Sequence, residues 1–130
     1  MRGLVFIVDD NLINSKLASE VLLAGGYQVT VATDAEQAQQ LLATLLPDLI
    51  LMDIALPGMD GLSLTRILKA DARLRHVPVV ALTAYAMRGD ELKATDAGCD
   101  GYITKPIDTR RFVEQVSVIV DSARARQRSR

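Results

Sequence analysis

The sequence has few of the residues that cross-link a chain, anchor it or direct it out of the cell. Cys99 is the single cysteine among 130 residues, which excludes an internal disulfide and is typical of a reducing cytosol. No apolar run approaches the ~18 residues that a membrane helix needs, and the start lacks the basic, apolar and small-residue order of a signal peptide. We therefore expect one cytoplasmic domain without membrane contact.

Positive charge is sparse except at the carboxyl end. The formal net charge is −1, but four of the fifteen basic residues are arginines within the last seven positions. Residues 1–123 consequently carry 16 acidic and 11 basic side chains, which disfavours direct binding of nucleic acid. We predict a folded domain over residues 1–121 and a basic tail over residues 122–130 that is frayed or disordered.

The chain also lacks internal repeats and the glycine-rich motifs that bind nucleotide phosphates. Short apolar runs instead alternate with segments whose apolar residues recur at helical spacing, which predicts an α/β fold with a parallel sheet. The predicted strands are residues 4–8, 27–32, 49–52, 77–82 and 101–104.

Five helices are predicted between and after these strands. Ile13 and Leu17 fall at helical spacing in the first, and Asp34 caps the second. We expect Ile67 of the third helix to face inward with the leucines on either side of it. Residues 88–97 form the fourth helix, and Asp108 caps the fifth.

Four of the predicted strands end on side chains that suit phosphate chemistry. In strand order, these residues are Asp9 and Asp10, then Asp53, Thr83 and Lys105. Because ligands of an open parallel sheet bind outside the carboxyl ends of its strands, we expect these side chains to converge. Three carboxylates, a hydroxyl and an ammonium can together bind a divalent metal and a phosphoryl group.

Asp53 is the strongest single candidate, because it ends a strand that is apolar at every position. A charge there without partners would cost several kcal/mol, and Pro57 argues against a helix that Asp53 could cap. An aspartate can act as a nucleophile and form an acyl phosphate. Asp9 and Asp10 could alone cap the first helix, but beside Asp53 their repulsion calls for a hard cation such as Mg²⁺.

In this order and spacing, the motifs resemble those of receiver domains of two-component response regulators. The similar segments are residues 8–11, 51–54 with Pro57 and Gly61, 81–84 and 102–106, within a match over residues 3–121. The resemblance implies a flavodoxin-like, doubly wound sheet of five parallel strands in the order 2-1-3-4-5 with five flanking helices.

The resemblance also implies a role for each site residue. Asp53 would be the phosphoacceptor, Thr83 and Tyr102 would form a switch, and the bond between Lys105 and Pro106 would be cis. The ligands of Mg²⁺, or of Mn²⁺ in its place, would be Asp9, Asp10, Asp53 and the backbone carbonyl of Ala55. The groups that hold phosphoryl oxygens would be Thr83, Ala84 and Lys105. Taken alone, Thr83 could be a packed strand residue, Lys105 a solvated charge and Tyr102 an edge-strand aromatic.

The implied partners are a histidine kinase or histidine phosphotransfer protein as donor and an output protein of unknown identity. The donor would dock beside Asp53, where the expected contacts are Leu12, Ile13 and Asn14. The output surface would be formed by the fourth helix, fifth strand and fifth helix, on or near which lie Met87, Arg88, Tyr102, Arg110 and Arg111. We expect a monomer or a weak homodimer.

The resemblance also implies that Ala55 and Tyr85 stand at the two positions that tune phosphate lifetime in receiver domains. Neither offers a carboxylate or amide to position water, so we expect slow self-dephosphorylation and no turnover of other substrates. A phosphohydrolase with an aspartyl-phosphate intermediate would need an acid at position 55, which disfavours that class. The sequence is compatible with a DivK-like single-domain regulator and with a receiver excised from a hybrid kinase; the position of Met1 and the arginine-rich end favour the first.

Overall fold

Strands and helices alternate along the chain in the computed structural model, which describes residues 2–84 and 88–128. The strands are β1 (Leu4–Val8), β2 (Gln28–Ala32), β3 (Leu49–Asp53), β4 (Val79–Thr83) and β5 (Gly101–Thr104). The helices are α1 (Leu12–Ala24), α2 (Ala35–Leu42), α3 (Gly61–Ala70), α4 (Arg88–Ala97) and α5 (Phe112–Arg128). All strand pairs are parallel and the sheet order is β2-β1-β3-β4-β5, which confirms the predicted fold class.

The core has two layers because helices cover both faces of the sheet. One layer lies between the sheet and helices α2 and α3, and includes Phe6 and Ile50 of the sheet and Leu64 of α3. The other contains Leu51 and Phe112 and lies against α1 and α5. β3 is buried along its whole length, as its uninterrupted apolar run predicts for a central parallel strand.

Side-chain caps set the start of the first three helices. Asp34 caps α2 as predicted, because its Oδ1 accepts a hydrogen bond from the backbone N–H of Gln37 at 2.7 Å. Asn11 caps α1 through the amides of Ile13 and Asn14, and Asp60 caps α3. The cap of α1 is therefore Asn11 and neither of the two aspartates before it, which leaves both carboxylates for other contacts.

In α1 and α3, some of the apolar residues at helical spacing face solvent instead of the core. In α1 the buried residues include Ser15 and Ala18, whereas Ile13 is 81% exposed. In α3 the prediction that Ile67 faces inward is wrong, because Ile67 is 42% exposed and Thr65 is buried in its place. Gly61, the first residue of α3, lies close to the backbone at the end of β3, and in the helix that starts from this contact Ile67 lies on the solvent side.

α5 begins later and ends later than predicted. Asp108 caps a preceding turn, where its carboxylate accepts from the amide of Arg110, and the helix itself starts at Phe112. Helix also continues through Arg128, where a frayed or disordered tail was predicted from residue 122. Ala123 is buried against the domain and Arg124 pairs with Asp48, so the last turns are held by packing and by charge.

Candidate functional site

The strand register brings the predicted polar residues to one edge of the sheet. Val8 is paired with Met52. The next residue on each side, Asp9 directly after β1 and Asp53 at the end of β3, therefore lie next to each other. Asp53 is paired with Leu82, one position before Thr83. Thr83 is paired with Thr104, which directly precedes Lys105. Four strands thus bring two carboxylates, a hydroxyl and an ammonium to the same carboxyl edge of the sheet.

Three carboxylates meet at this edge. Asp9 and Asp53 are 1% and 4% exposed, whereas Asp10 is exposed to solvent. One oxygen from each of the three lies within 4.8 Å of the others. The cluster therefore combines two buried acids with one solvent-facing acid, and its oxygen atoms are hard ligands that suit a divalent cation.

Each buried carboxylate has one oxygen fixed by the backbone and one turned to Lys105. Oδ1 of Asp9 accepts from the amide of Asn11, and Oδ1 of Asp53 accepts from the amide of Ala55, both at 2.9 Å. Nζ of Lys105 lies 3.3 Å from Oδ2 of Asp9 and 3.2 Å from Oδ2 of Asp53. One ammonium is thus shared between two buried anions.

The electrostatics of Asp9 indicate an excess of negative charge. Burial, foremost, raises the pKa of Asp9 above its ordinary value of 3.8, and the charge of Asp53 raises it further. The amide of Asn11 and the ammonium of Lys105 act in the opposite direction without cancelling the rise. Oδ2 of Asp9 is also buried, and it accepts no hydrogen bond from the described residues although the ammonium of Lys105 lies 3.3 Å away. A second cation at this point would offset the excess negative charge and would bind the Asp9 oxygen that accepts no hydrogen bond. The residues therefore fit a bound divalent metal.

Thr83 and Lys105 are joined through the backbone at the ends of β4 and β5. The amide of Lys105 donates to the carbonyl of Thr83 at 2.7 Å, and Thr83 itself is buried. Ala84 follows as an exposed residue. The bond between Lys105 and Pro106 is cis.

Tyr102 lies two residues before the end of β5 and is half-buried. Its register partner is Ala81, so Tyr102 projects from the same face of the sheet as Thr83. A groove there is also lined by Glu91, Ala94 and Thr95 of α4. Tyr85 and Met87 lie outside the described residues, as does the side chain of Arg88; Arg110 and Arg111 are exposed just before α5.

Gly61 has a structural role beside Asp53 that the sequence alone did not reveal. A Cβ at Gly61 would lie 2.2 Å from the carbonyl oxygen of Asp53 and 2.8 Å from Cα of Ile54. The amide of Gly61 donates to the carbonyl of Ile54 at 3.3 Å. Only glycine permits this approach, and the Asp60-Gly61 pair at the start of a helix is the sequence signal that could have indicated it.

The mouth of the site is bordered by apolar side chains of α1. Leu12 and Ile13, in the first turn of α1, are 68% and 81% exposed. Asn14 lines a small cleft that also touches Asp9 and Lys105. Among the residues that the structure describes, no helix has the length and apolar character required to cross a membrane.

Comparison with known proteins gives consistent matches over most of the chain. A family model described as the response regulator receiver domain matches residues 5–117. The polar-differentiation response regulator DivK of Brucella ovis is 44% identical over 123 residues, which cover 95% of this chain and 100% of that protein.

Two solved structures are similar in both sequence and fold. A putative response regulator from Chloroflexus aurantiacus is 29% identical with a TM-score of 0.88, and the match covers 92% of this chain and 98% of that one. The receiver domain of a signal transduction histidine kinase from Syntrophus aciditrophicus is 31% identical with a TM-score of 0.84, and the match covers 92% and 91% respectively.

Proposed function

Because the chain belongs to the response regulator receiver domain family, we propose that it accepts a phosphoryl group on Asp53. The donor is the phosphohistidine of a histidine kinase or of a histidine phosphotransfer protein. A carboxylate oxygen of Asp53 attacks phosphorus and forms the acyl phosphate as the phosphorus–nitrogen bond breaks. The electron pair of that bond stays on the ring, and the donor histidine, already protonated on its other ring nitrogen, leaves as neutral imidazole. The receiver unit spans residues 1–121, and residues 122–128 extend its last helix.

The arrangement of the Asp53 carboxylate carries this proposal. Oδ1 is held by the amide of Ala55 at 2.9 Å, while Oδ2 lies 3.2 Å from the ammonium of Lys105. The nucleophile is therefore buried, oriented and beside a positive charge. After transfer, the same ammonium can pair with a phosphoryl oxygen, since Lys105 already reaches the oxygen that would carry the group.

A divalent metal is expected to assist this step. Its ligands would be Asp9, Asp10, Asp53 and the backbone carbonyl of Ala55, and the ion would be Mg²⁺ or Mn²⁺. When bound, the ion supplies positive charge that offsets the repulsion between the carboxylates and the phosphoryl oxygens. The raised pKa of Asp9 and its oxygen without a hydrogen-bond donor support a cation at this point.

The signal passes from the phosphate to a partner through Thr83 and Tyr102. The hydroxyl of Thr83 and the backbone of Ala84 donate to the new phosphoryl oxygens, and Tyr102 takes the space that Thr83 leaves. Their position on one face of the sheet supports this coupling. A shift between two states that differ by a few kcal/mol is sufficient for such a response. The face formed by α4, β5 and α5 then binds the output protein.

The donor protein docks on the exposed apolar turn of α1. Leu12 and Ile13 are 68% and 81% exposed next to the carboxylates, so a partner helix laid there would bury apolar surface and bring its phosphohistidine to Asp53. The chemistry of the chain is confined to its own Asp53. We assign it no turnover of other substrates, because Ala55 offers no acid beside the nucleophile.

The proposal is tested by incubating the protein with acetyl phosphate and Mg²⁺ and measuring its intact mass. We expect one phosphoryl adduct that does not form when Mg²⁺ is chelated beforehand and is absent in Asp53→Asn. The matched control is Asp60→Asn, which makes the same change at an exposed helix cap where asparagine is equally suitable. An adduct that persists in Asp53→Asn, or none in the wild-type protein with Mg²⁺, would contradict the assignment.

A further inference from the structure

A groove opens at the opposite end of the sheet from Asp53, where the chain enters β3 and β4. Its volume is about 400 Å³, within the range of small-molecule sites. Val77 and Val120 are buried residues that line its apolar part. Arg73, His76, Arg124 and Gln127 supply its polar part. The groove thus has an apolar body with nitrogen-bearing side chains around it.

The charge of this groove is positive, in contrast to the acidic site at the other end of the sheet. Arg73 and Arg124 face one acid, Asp48. That acid is already engaged, because Oδ2 accepts from the amide of Leu4 at 2.7 Å and Oδ1 lies 3.2 Å from Nη2 of Arg124. A ligand in the groove therefore meets an excess of guanidinium charge.

Both guanidinium groups are anchored by contacts that use only part of their donors. Arg73 donates from its two terminal nitrogens to the carbonyls of Leu45 and Leu42. The described contacts of Arg124 all involve Nη2, which donates to the carbonyl of Arg2 and pairs with Asp48. A guanidinium has five N–H donors, so each arginine is held in place with donors to spare.

We propose that this groove binds a small phosphate-bearing organic anion of the mononucleotide class. Its phosphate is recognised by the guanidinium groups of Arg73 and Arg124, which pair well with a phosphate dianion. Its planar base lies against Leu46, which lines the groove and is 59% exposed, above the buried Val77 and Val120. The amide of Gln127, whose Nε2 donates to the carbonyl of His76 at 3.3 Å, closes the groove between α5 and the loop before β4. This site requires no glycine-rich loop and is separate from Asp53.

The test is a titration of the full ¹⁵N-labelled chain with AMP in the presence of EDTA. AMP is suitable because its phosphate ester does not phosphorylate a carboxylate. We expect the amide signals of Val77, Ala123 and Gln127 to shift, while those next to Asp53 stay in place. Arg124→Gln should weaken binding about tenfold. Arg126→Gln removes the same charge from α5 outside the groove lining and should change affinity less than about twofold.

Several outcomes would overturn the proposal. These are no shift in the groove, shifts confined to the Asp53 end, or an equal loss of affinity in Arg124→Gln and Arg126→Gln, which would indicate attraction by overall charge. Inorganic phosphate binding as tightly as AMP would remove any role for the apolar part. Thermal unfolding of each variant establishes that it folds, and the acetyl phosphate adduct on Asp53 checks the proposed function separately.

Discussion

At the scale of single residues, the central feature is a buried acid that lacks enough positive charge around it. Asp9 shares Lys105 with Asp53, and its second oxygen accepts no hydrogen bond from the described residues. Burial of an under-compensated charge costs stability. The folded protein accepts that cost at the place where a cation and a phosphoryl group are expected to bind.

We predict that Asp9→Asn stabilises the metal-free protein at neutral pH. The folded-state pKa of Asp9 is raised above 3.8 because of burial, so the unfolded chain releases its proton first as the pH rises. The destabilising effect is therefore complete above the folded-state pKa and absent below 3.8. Urea unfolding in EDTA should give a higher free energy of unfolding for Asp9→Asn than for the wild-type protein. This difference should shrink as the pH falls toward 3.8. A difference that grows on acidification would contradict this.

We also predict that Ala55→Asn shortens the lifetime of the phosphoryl group. The side chain at position 55 is exposed while its amide donates to Asp53, so an asparagine there can position a water near the phosphorus. Loss of phosphate should accelerate about tenfold, which corresponds to ~1.4 kcal/mol of barrier. The decay of the adduct by intact mass measures this rate. Ala55→Val is the matched control, and acceleration in Ala55→Val as well would contradict the role of the amide.

At the scale of elements, the end of β3 and the start of α3 come into close contact at one glycine, Gly61. Leucines at 64 and 68 were correctly predicted to face inward, but the same pattern placed Ile67 there too. Hydrophobic spacing defines an apolar stripe only to within a fraction of a turn. The close approach of Gly61 to the backbone of Asp53 is a tertiary restraint on the start of α3 that the spacing does not contain.

Gly61→Ala is expected to lower the free energy of unfolding by about 1–3 kcal/mol, because the added methyl group meets backbone that cannot rotate away. Its Cβ would lie 2.2 Å from the carbonyl oxygen of Asp53, so phosphorylation should slow as well. Gly89→Ala in α4 is the control, since nothing lies within 4 Å of its Cβ and alanine favours helix. Urea unfolding and adduct formation measure the two effects; equal stability of Gly61→Ala and the wild-type protein would refute the restraint.

At the scale of the whole molecule, much of the architecture could be predicted from the sequence. The apolar runs located the five strands, and the resemblance of the motifs to receiver domains supplied the sheet order that the structure confirms. The strand ends likewise indicated that Asp9, Asp53 and Lys105 would meet. The path of α5 could not be predicted, because the sequence around Arg124 has no apolar periodicity. Its helical state depends on burial of Ala123 and on the distant partner Asp48.

We predict that Mg²⁺ stabilises the entire fold. An ion that binds only the folded state adds about 2.7 kcal/mol at a concentration 100 times its Kd. Thermal unfolding should shift upward with MgCl₂ but not with NaCl of equal ionic strength, and the shift should be smaller in Asp10→Asn. Asp10 is exposed, so its replacement leaves the core unchanged. An identical Mg²⁺ response in Asp10→Asn and the wild-type protein would exclude Asp10 as a ligand.

Because of the strand order, the carboxyl edge that carries Asp53 is complete only when the strands that supply its side chains have all joined the sheet. Asp9 and Lys105 are separated by most of the chain, yet they meet only when β1, β3, β4 and β5 are all paired. A nascent chain that still lacks β5 has its aspartates but no ammonium between them. On the proposed function, we therefore expect a chain to accept the phosphoryl group only after β5 has joined the sheet and brought Lys105 to the aspartates.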